Sequence, residues 1–359
     1  MKKRIFSLSL LAMASTTFIG CSNNDDSADT NTNGVLYTEV LTDLTTDVIT
    51  ATYNDLNEKA LALRTAVSTL STETTEENFN AARTAWSATR APWEESEGFL
   101  YGPVDTGGID PAMDTWPVDV SSMNAILNSG QPITPEVIAT NNEARGFHLI
   151  EFLLWGENGD KTVEQMTERQ LEYLVAAAAD LQSNTQTLYD GWKADGGNFG
   201  SNFINAGVSS NLYPSQKAAL EEVIEGIIII SDEVANGKIE DPLNSEGGTP
   251  NAQFEESRFS NNSKLDFANN IRSIQNIYMG DFNGVDGAGL TDIVALTNPT
   301  LDADIKAKIT AAITAIENIP GTFTDAIYNN RESVSVAQQR VSELLAVLQG
   351  NLKPYVNSL

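Results

Sequence analysis

Gly146-Phe147-His148-Leu149-Ile150-Glu151-Phe152-Leu153-Leu154-Trp155-Gly156 is the stretch that decides the fold, and it holds the only histidine of the 359-residue chain. Its apolar residues fall on nearly every side of a helix, which is how a fully buried helix reads. Such a helix needs other helices around it, so the surrounding chain must supply a bundle. His148 and Glu151 are three residues apart and share a face. Inside apolar surroundings both need partners, because an unpaired buried charge costs several kcal/mol or titrates away.

The flanking chain supplies helices. Residues 35–70 carry Leu41, Leu44, Val48, Leu56, Leu63, Val67 and Leu70 without Gly or Pro. Phe79, Ala82, Trp86 and Arg90 recur at helical spacing between residues 76 and 97, with Pro92 as a bend. Helices are also expected over 121–127, from Pro135 without interruption to Trp155, and over 167–193, 215–235, 264–280, 290–296, 301–316, 322–328 and 332–352. Strand-like alternation is scarce. The expected class is all-α, two packed antiparallel helical bundles, 35–236 and 237–359. A faint internal echo, Phe99-Leu100-Tyr101-Gly102 against Ile277-Tyr278-Met279-Gly280 with Arg90 and Arg272 upstream, is compatible with bundles related by a repeat or with chance. Residues 237–262 read as a long polar loop and the best candidate for mobility.

The N-terminus reads as a secretory signal over residues 1–20: Lys2, Lys3 and Arg4, then a short apolar run. Phe18-Ile19-Gly20-Cys21 resembles a bacterial lipobox, which makes Cys21 the lipidated first residue of the mature chain. Residues 21–34 then serve as a polar tether. With the sole cysteine used there, no disulfide is expected. The formal charge is −28, from 21 basic and 49 acidic residues. That balance disfavours nucleic acid and anionic headgroups and suits cations or metal ions.

The partners of His148 come from carboxylate-rich segments. Zinc peptidases use His-Glu-x-x-His or His-x-x-Glu-His, but Phe152 follows Glu151 and no second histidine exists. One imidazole with several carboxylates suits iron or manganese better than zinc. Arg90-Ala91-Pro92-Trp93-Glu94-Glu95-Ser96-Glu97 offers Glu94 and Glu97 on one helix face. Asp110 and Asp119, in the Gly/Pro-rich but aromatic segment 99–120, are second candidates. Arg90 would neutralise a carboxylate there. No Gly-x-Ser-x-Gly elbow and no phosphate loop is present.

Taken together, these segments resemble the imelysin-like family, also called peptidase family M75. The resemblance rests on the Gly-x-His-x-x-Glu signature at Gly146, His148 and Glu151, on the Arg90–Pro103 segment, and on Asp110-Pro111-Ala112-Met113-Asp114-Thr115-Trp116-Pro117. It extends to Glu255-Glu256-Ser257-Arg258-Phe259-Ser260 and Asp266-Phe267-Ala268-Asn269-Asn270. It implies a two-bundle lipoprotein of the bacterial envelope, on the outer membrane and facing periplasm or surface, associated with iron acquisition. The implied site includes His148 and Glu151. Glu94, Glu97 and Asp110 complete the expected ligand set, with Arg90, Trp93, Trp116, Ser257, Ser260, Asp266 and Asn270 supporting it. A divalent or trivalent metal ion, iron favoured, is the expected cargo, and an iron transporter or outer-membrane receptor an expected partner. Two rival readings stand beside it. One is an M75-type metallopeptidase, with Glu151 or Glu94 as general base. The other is a non-catalytic peptide- or saccharide-binding module in which Trp93, Trp116 and Trp155 line a groove.

Overall fold

A computed structural model describes residues 32–359. The signal segment, Cys21 and most of the tether lie outside the described residues. Residues 33–359 form one compact unit. Its regular structure is helical, apart from an isolated bridge between Ser245 and Thr249 and a hairpin of two-residue strands, β1 (Asp281–Phe282) with β2 (Val285–Asp286), which turns on Asn283-Gly284.

The helices that position the site are α1 (Ala51–Thr72), α2 (Glu76–Glu94), α3 (Gly146–Trp155), α4 (Glu168–Trp192), α5 (Gln216–Glu233), α6 (Ser263–Met279), α7 (Pro299–Glu317) and α8 (Arg331–Val347). Their starts follow the sequence. Thr75, Thr167 and Ser215 cap α2, α4 and α5 by accepting backbone N–H groups from the first turn, and Thr167 forms a capping box with Gln170. Helices α1, α2, α3 and α4 pack around Trp86, Tyr53, Tyr173 and Phe147, all buried. Helices α6, α7 and α8 pack as a second layer. Helix α5, grouped with the first bundle in the sequence reading, rests on α6 and α8 and on the turn Glu97–Phe99.

The two groups meet along α2 and α6. Where α5 crosses the turn Glu97–Phe99, Gly98 and Gly226 let the backbones touch. A Cβ on Gly226 would lie 2.2 Å from the Gly98 carbonyl oxygen, and one on Gly98 would lie 2.9 Å from Ser273 Oγ.

One expectation is corrected. The helix from Pro135 does not run on to Trp155. It stops after Pro135–Ile138, a short turn spans Asn142–Ala144, and α3 begins afresh at Gly146. Arg145 is extended at the break, at φ −148° and ψ −177°. Its guanidinium is held by Asp180 of α4 at 2.8 and 2.6 Å. That bidentate pair compensates for the lost helical turn and sets where α3 begins. The polar segment 237–262 also differs from expectation: it ends on the core, with Glu255 and Ser257 fully buried.

Candidate functional site

Arg90, near the end of α2, is fully buried and is the centre of the site. Its Nη2 lies 2.5 Å from Glu94 Oε1 and its Nε 3.4 Å from Asp266 Oδ2. The same guanidinium pairs with Asp114 and Glu256 and stands over the Phe147 ring, 5.1 Å from its centroid. A planar fork with five donors suits a guanidinium to such multiple pairing.

His148 projects from α3 into the same cluster. Its Nδ1 is 3.1 Å from Glu151 Oε2, one helical turn on. Glu151 Oε1 in turn accepts the Ser260 backbone N–H at 2.8 Å and the Ser260 hydroxyl at 2.7 Å. Both Glu151 oxygens are therefore engaged on the far side of the ring, and Glu151 fixes the imidazole rather than joining the cluster. Ser260 is aimed by a tight turn that begins at the buried Ser257, which holds φ at +54°; the Ser257 carbonyl accepts from Ser260 Oγ and from the Asn262 backbone N–H. The other ring nitrogen, Nε2, faces Asp114 Oδ1 at 3.1 Å and Glu256 Oε1 at 3.4 Å. It makes no directed hydrogen bond to either. Trp116 closes over the ring edge-on, at 4.8 Å between centroids.

Lys238 is the second fixed cation. Its Nζ lies 3.0 Å from Glu256 Oε2, 3.1 Å from Glu97 Oε2 and 3.5 Å from Glu94 Oε2. Asn270 of α6 donates to Glu94 Oε2 at 2.5 Å, and Asn262 to Asp266 Oδ1 at 2.6 Å. Five carboxylates, Glu94, Glu97, Asp114, Glu256 and Asp266, thus crowd around Arg90 and Lys238.

The electrostatics divide the carboxylates. Burial pushes Glu94 up to about 8 against the pull of Arg90 and Lys238. Burial and the neighbouring Glu94 hold Glu97 well above the ordinary range. Asp114 goes the other way, to about 2, because Arg90 and the His148 contact outweigh its burial. Glu256 is held well below its usual value against burial, by Lys238, His148 and Arg90. Burial and the Arg90 charge lower His148, yet Asp114, Glu151 and Glu256 together keep it well above 6.5.

The cluster opens into a cleft of about 340 Å³, lined by Glu97, Asp110, Asp114, Trp116, Lys238 and Glu256 among others. His148 is sealed behind Asp114 and Glu256 and does not reach the cleft wall itself. Two donor sets, Asp114–His148–Glu256 and Glu94–Glu97–Asp114, each keep one atom per residue within 4.8 Å of the others.

The structure therefore brings together His148, Glu94, Glu97, Arg90, Trp93, Trp116, Asp266 and Asn270, with Asp110 on the cleft wall. Asp119 is not among them: it is half-buried and accepts the Ser121 backbone N–H at the start of the helix Val120–Leu127. The expected site lacked Asp114, Glu256 and Lys238. Asp114 and Glu256 stand inside segments already singled out, beside residues that were named. Lys238 has no local signature, and only the surplus of buried carboxylates calls for it.

Trp93 fixes Asp114 from below, donating from Nε1 to Oδ2 at 2.6 Å. A hydrogen bond to a buried charged acceptor contributes about 1.5–3 kcal/mol. Trp93→Phe, which keeps most of the ring volume, is expected to lose that amount in urea unfolding. A loss below about 0.5 kcal/mol would show that Asp114 does not depend on the indole.

Comparisons with known proteins place the chain in a family. An iron-regulated protein A from Synechococcus elongatus is 29% identical over 335 residues, covering 92% of this chain and 90% of that protein. The crystal structure of an iron-regulated protein A precursor from Parabacteroides distasonis superposes with a TM-score of 0.80 at 28% identity, over 89% of this chain and 95% of the other. An imelysin-like protein from Psychrobacter arcticum shares the fold, at a TM-score of 0.75 and 14% identity, over 90% of this chain and 96% of the other. The imelysin model, peptidase M75, matches residues 49–348, and the chain belongs to that family.

Proposed function

We propose that the protein binds a metal cation, iron first, as cargo beside the cleft lined by Glu97, Asp114, Lys238 and Glu256, for uptake at the bacterial envelope. The observation that carries this reading is the buried Nε2 of His148. It faces two carboxylate oxygens at 3.1 and 3.4 Å without a directed hydrogen bond. Donors that share a cation at bond lengths of about 2.0–2.2 Å stand roughly 3–3.5 Å apart, which matches this spacing; Asp114 Oδ1 and Glu256 Oε1 also pair with Arg90, so an ion there would share them with the guanidinium. Asp114, Glu256 and His148 would hold it, and Glu94 and Glu97 add hard oxygen donors that suit iron over zinc. Glu151 and Ser260 would orient the imidazole. The names of the two iron-regulated relatives point the same way. Among the described residues no helix is long and apolar enough to cross a membrane. Attachment would rest on a lipid at Cys21, with a transporter or outer-membrane receptor as the partner that takes the ion on.

The test is titration of the purified chain with ferrous, ferric and zinc ions, beside His148→Ala and Glu151→Gln. Wild type is expected to bind iron. Glu151→Gln should bind about 10–100-fold more weakly, the usual cost of losing an outer carboxylate behind a ligating histidine. Equal binding by wild type and both variants removes this site.

The family name supplies a metallopeptidase as the second reading. In that reading the base on a metal-bound water must be a residue other than Glu151, whose two oxygens are already engaged. Chelator-sensitive cleavage of an unfolded protein, retained in Glu151→Gln and lost in Glu256→Gln, would support it. A groove shared by three tryptophans gains no support: Trp93 is fully buried and Trp155 packs on Trp86 at 5.2 Å, away from the cleft.

A further inference from the structure

We infer that the Lys238 ammonium is a built-in occupant of the oxygen cluster, and that an entering cation binds by displacing it. This rests on the metal-binding reading above and adds how the site loads and releases. Lys238 Nζ touches a member of each donor set: Glu256 at 3.0 Å in one, and Glu97 and Glu94 at 3.1 and 3.5 Å in the other. The ammonium occupies the space among the Glu256, Glu97 and Glu94 oxygens. The second observation is His148 Nε2, fully buried and aimed at Asp114 and Glu256 without a directed hydrogen bond. The two oxygens it faces, Asp114 Oδ1 and Glu256 Oε1, also pair with Arg90, so the imidazole has no oxygen to itself.

The two fixed cations differ in freedom. Arg90 is locked inside α2, pairs with four carboxylates and stands over Phe147. Lys238 ends the wide helical turn Val234–Lys238 and lines the open cleft. Its neighbour Gly237 has room around it: a Cβ there would meet only Glu233 Cγ, at 4.0 Å. A lysine is a compact charge on a flexible four-carbon stem, whereas a guanidinium is a rigid fork. Glu233 lines the same cleft and gives the displaced ammonium another carboxylate to face. Glu256 already carries Arg90 on Oε1 and Lys238 on Oε2, so an entering ion would crowd a third positive charge onto it, and metal entry and ammonium departure are linked. The return of Lys238 would expel the ion. Such a site holds its cargo loosely and exchanges it, as a carrier must.

The experiment is calorimetric titration of the full chain with Mn²⁺, on wild type, Lys238→Met and Lys238→Arg. Lys238→Met is expected to bind at least tenfold more tightly than wild type, and Lys238→Arg no more tightly. Tighter binding by Lys238→Met alone supports displacement. Wild-type binding with Lys238→Met equal or weaker overturns displacement and leaves the metal site standing. No binding by any of the three overturns both. A second measurement works on wild type even if Lys238→Met does not fold. In protein carrying ¹⁵N-lysine, the protected Lys238 ammonium resonance, identified by its absence in Lys238→Arg, should be lost to fast exchange when Zn²⁺ is added. A resonance unchanged at Zn²⁺ saturation contradicts the proposal.

Discussion

Arg90→Met will cost the protein about 3–5 kcal/mol, a large part of a domain's usual 5–15 kcal/mol. Methionine keeps much of the packing against Phe147 and removes the charge. What remains is Glu94, Asp114, Glu256 and Asp266, all buried or nearly so, with only Lys238 and His148 nearby. Replacing a whole buried ionic network by apolar groups is often neutral, but removing one partner strands the others, and here one guanidinium serves four carboxylates. Arg90→Lys should also lose stability, by more than about 1 kcal/mol, because one ammonium cannot reproduce a fork that pairs in several directions. Urea unfolding of both variants checks this. If Arg90→Met unfolds at the wild-type midpoint, the four carboxylates are not held by that guanidinium. Near-wild-type stability of Arg90→Lys would mean that its charge matters and its shape does not.

How far the sequence leads is visible in the same residues. The long helices are local consequences of periodicity and capping, so residues 35–70 and the caps at Thr75, Thr167 and Ser215 can be read without a structure. Glu94 and Glu97 could be paired with His148 because they share a helix end rich in aromatic residues. The run from Pro135 to Trp155 could not be divided correctly, because the break depends on Arg145 reaching Asp180, 35 residues away. Glu151 could be named but not given its role. Its spacing from His148 places the two on one face, while the contact with Ser260, 109 residues on, decides that the carboxylate faces away from the cluster. Asp114, Glu256 and Lys238 enter for tertiary reasons alone: the packing of α2 against α6 brings distant carboxylates around Arg90, and charge balance then requires a second cation. The long polar segment 237–262 misled in the same way, since polar residues suggest solvent unless a buried charge elsewhere needs them.

The Gly146→Ala substitution tests whether the start of α3 and the Asp114 loop are one unit. Gly146 holds φ at +79°, and a Cβ there would lie 2.2 Å from the Met113 carbonyl oxygen, 2.7 Å from its carbon and 3.0 Å from the Ala112 oxygen. All three are backbone atoms, so no side-chain rotation relieves the contact. The left-handed conformation alone costs a non-glycine residue about 1–2 kcal/mol. Gly247→Ala is the control for that part, because Gly247 has φ +76° and nothing within 4 Å of its added Cβ. The clash adds the displacement of Met113, next in the chain to Asp114, while His148 lies two residues beyond the glycine. Gly146→Ala should therefore lose at least about 3 kcal/mol, against about 1 kcal/mol for Gly247→Ala. It should also lose cation binding, because the separation of 3.1 Å between His148 Nε2 and Asp114 Oδ1 cannot survive a shift of the Met113 backbone. Thermal unfolding and metal titration of the two variants side by side give the answer. Equal losses in both would reduce Gly146 to an ordinary turn glycine. A stable Gly146→Ala that still binds metal would separate the signature glycine from the site it precedes.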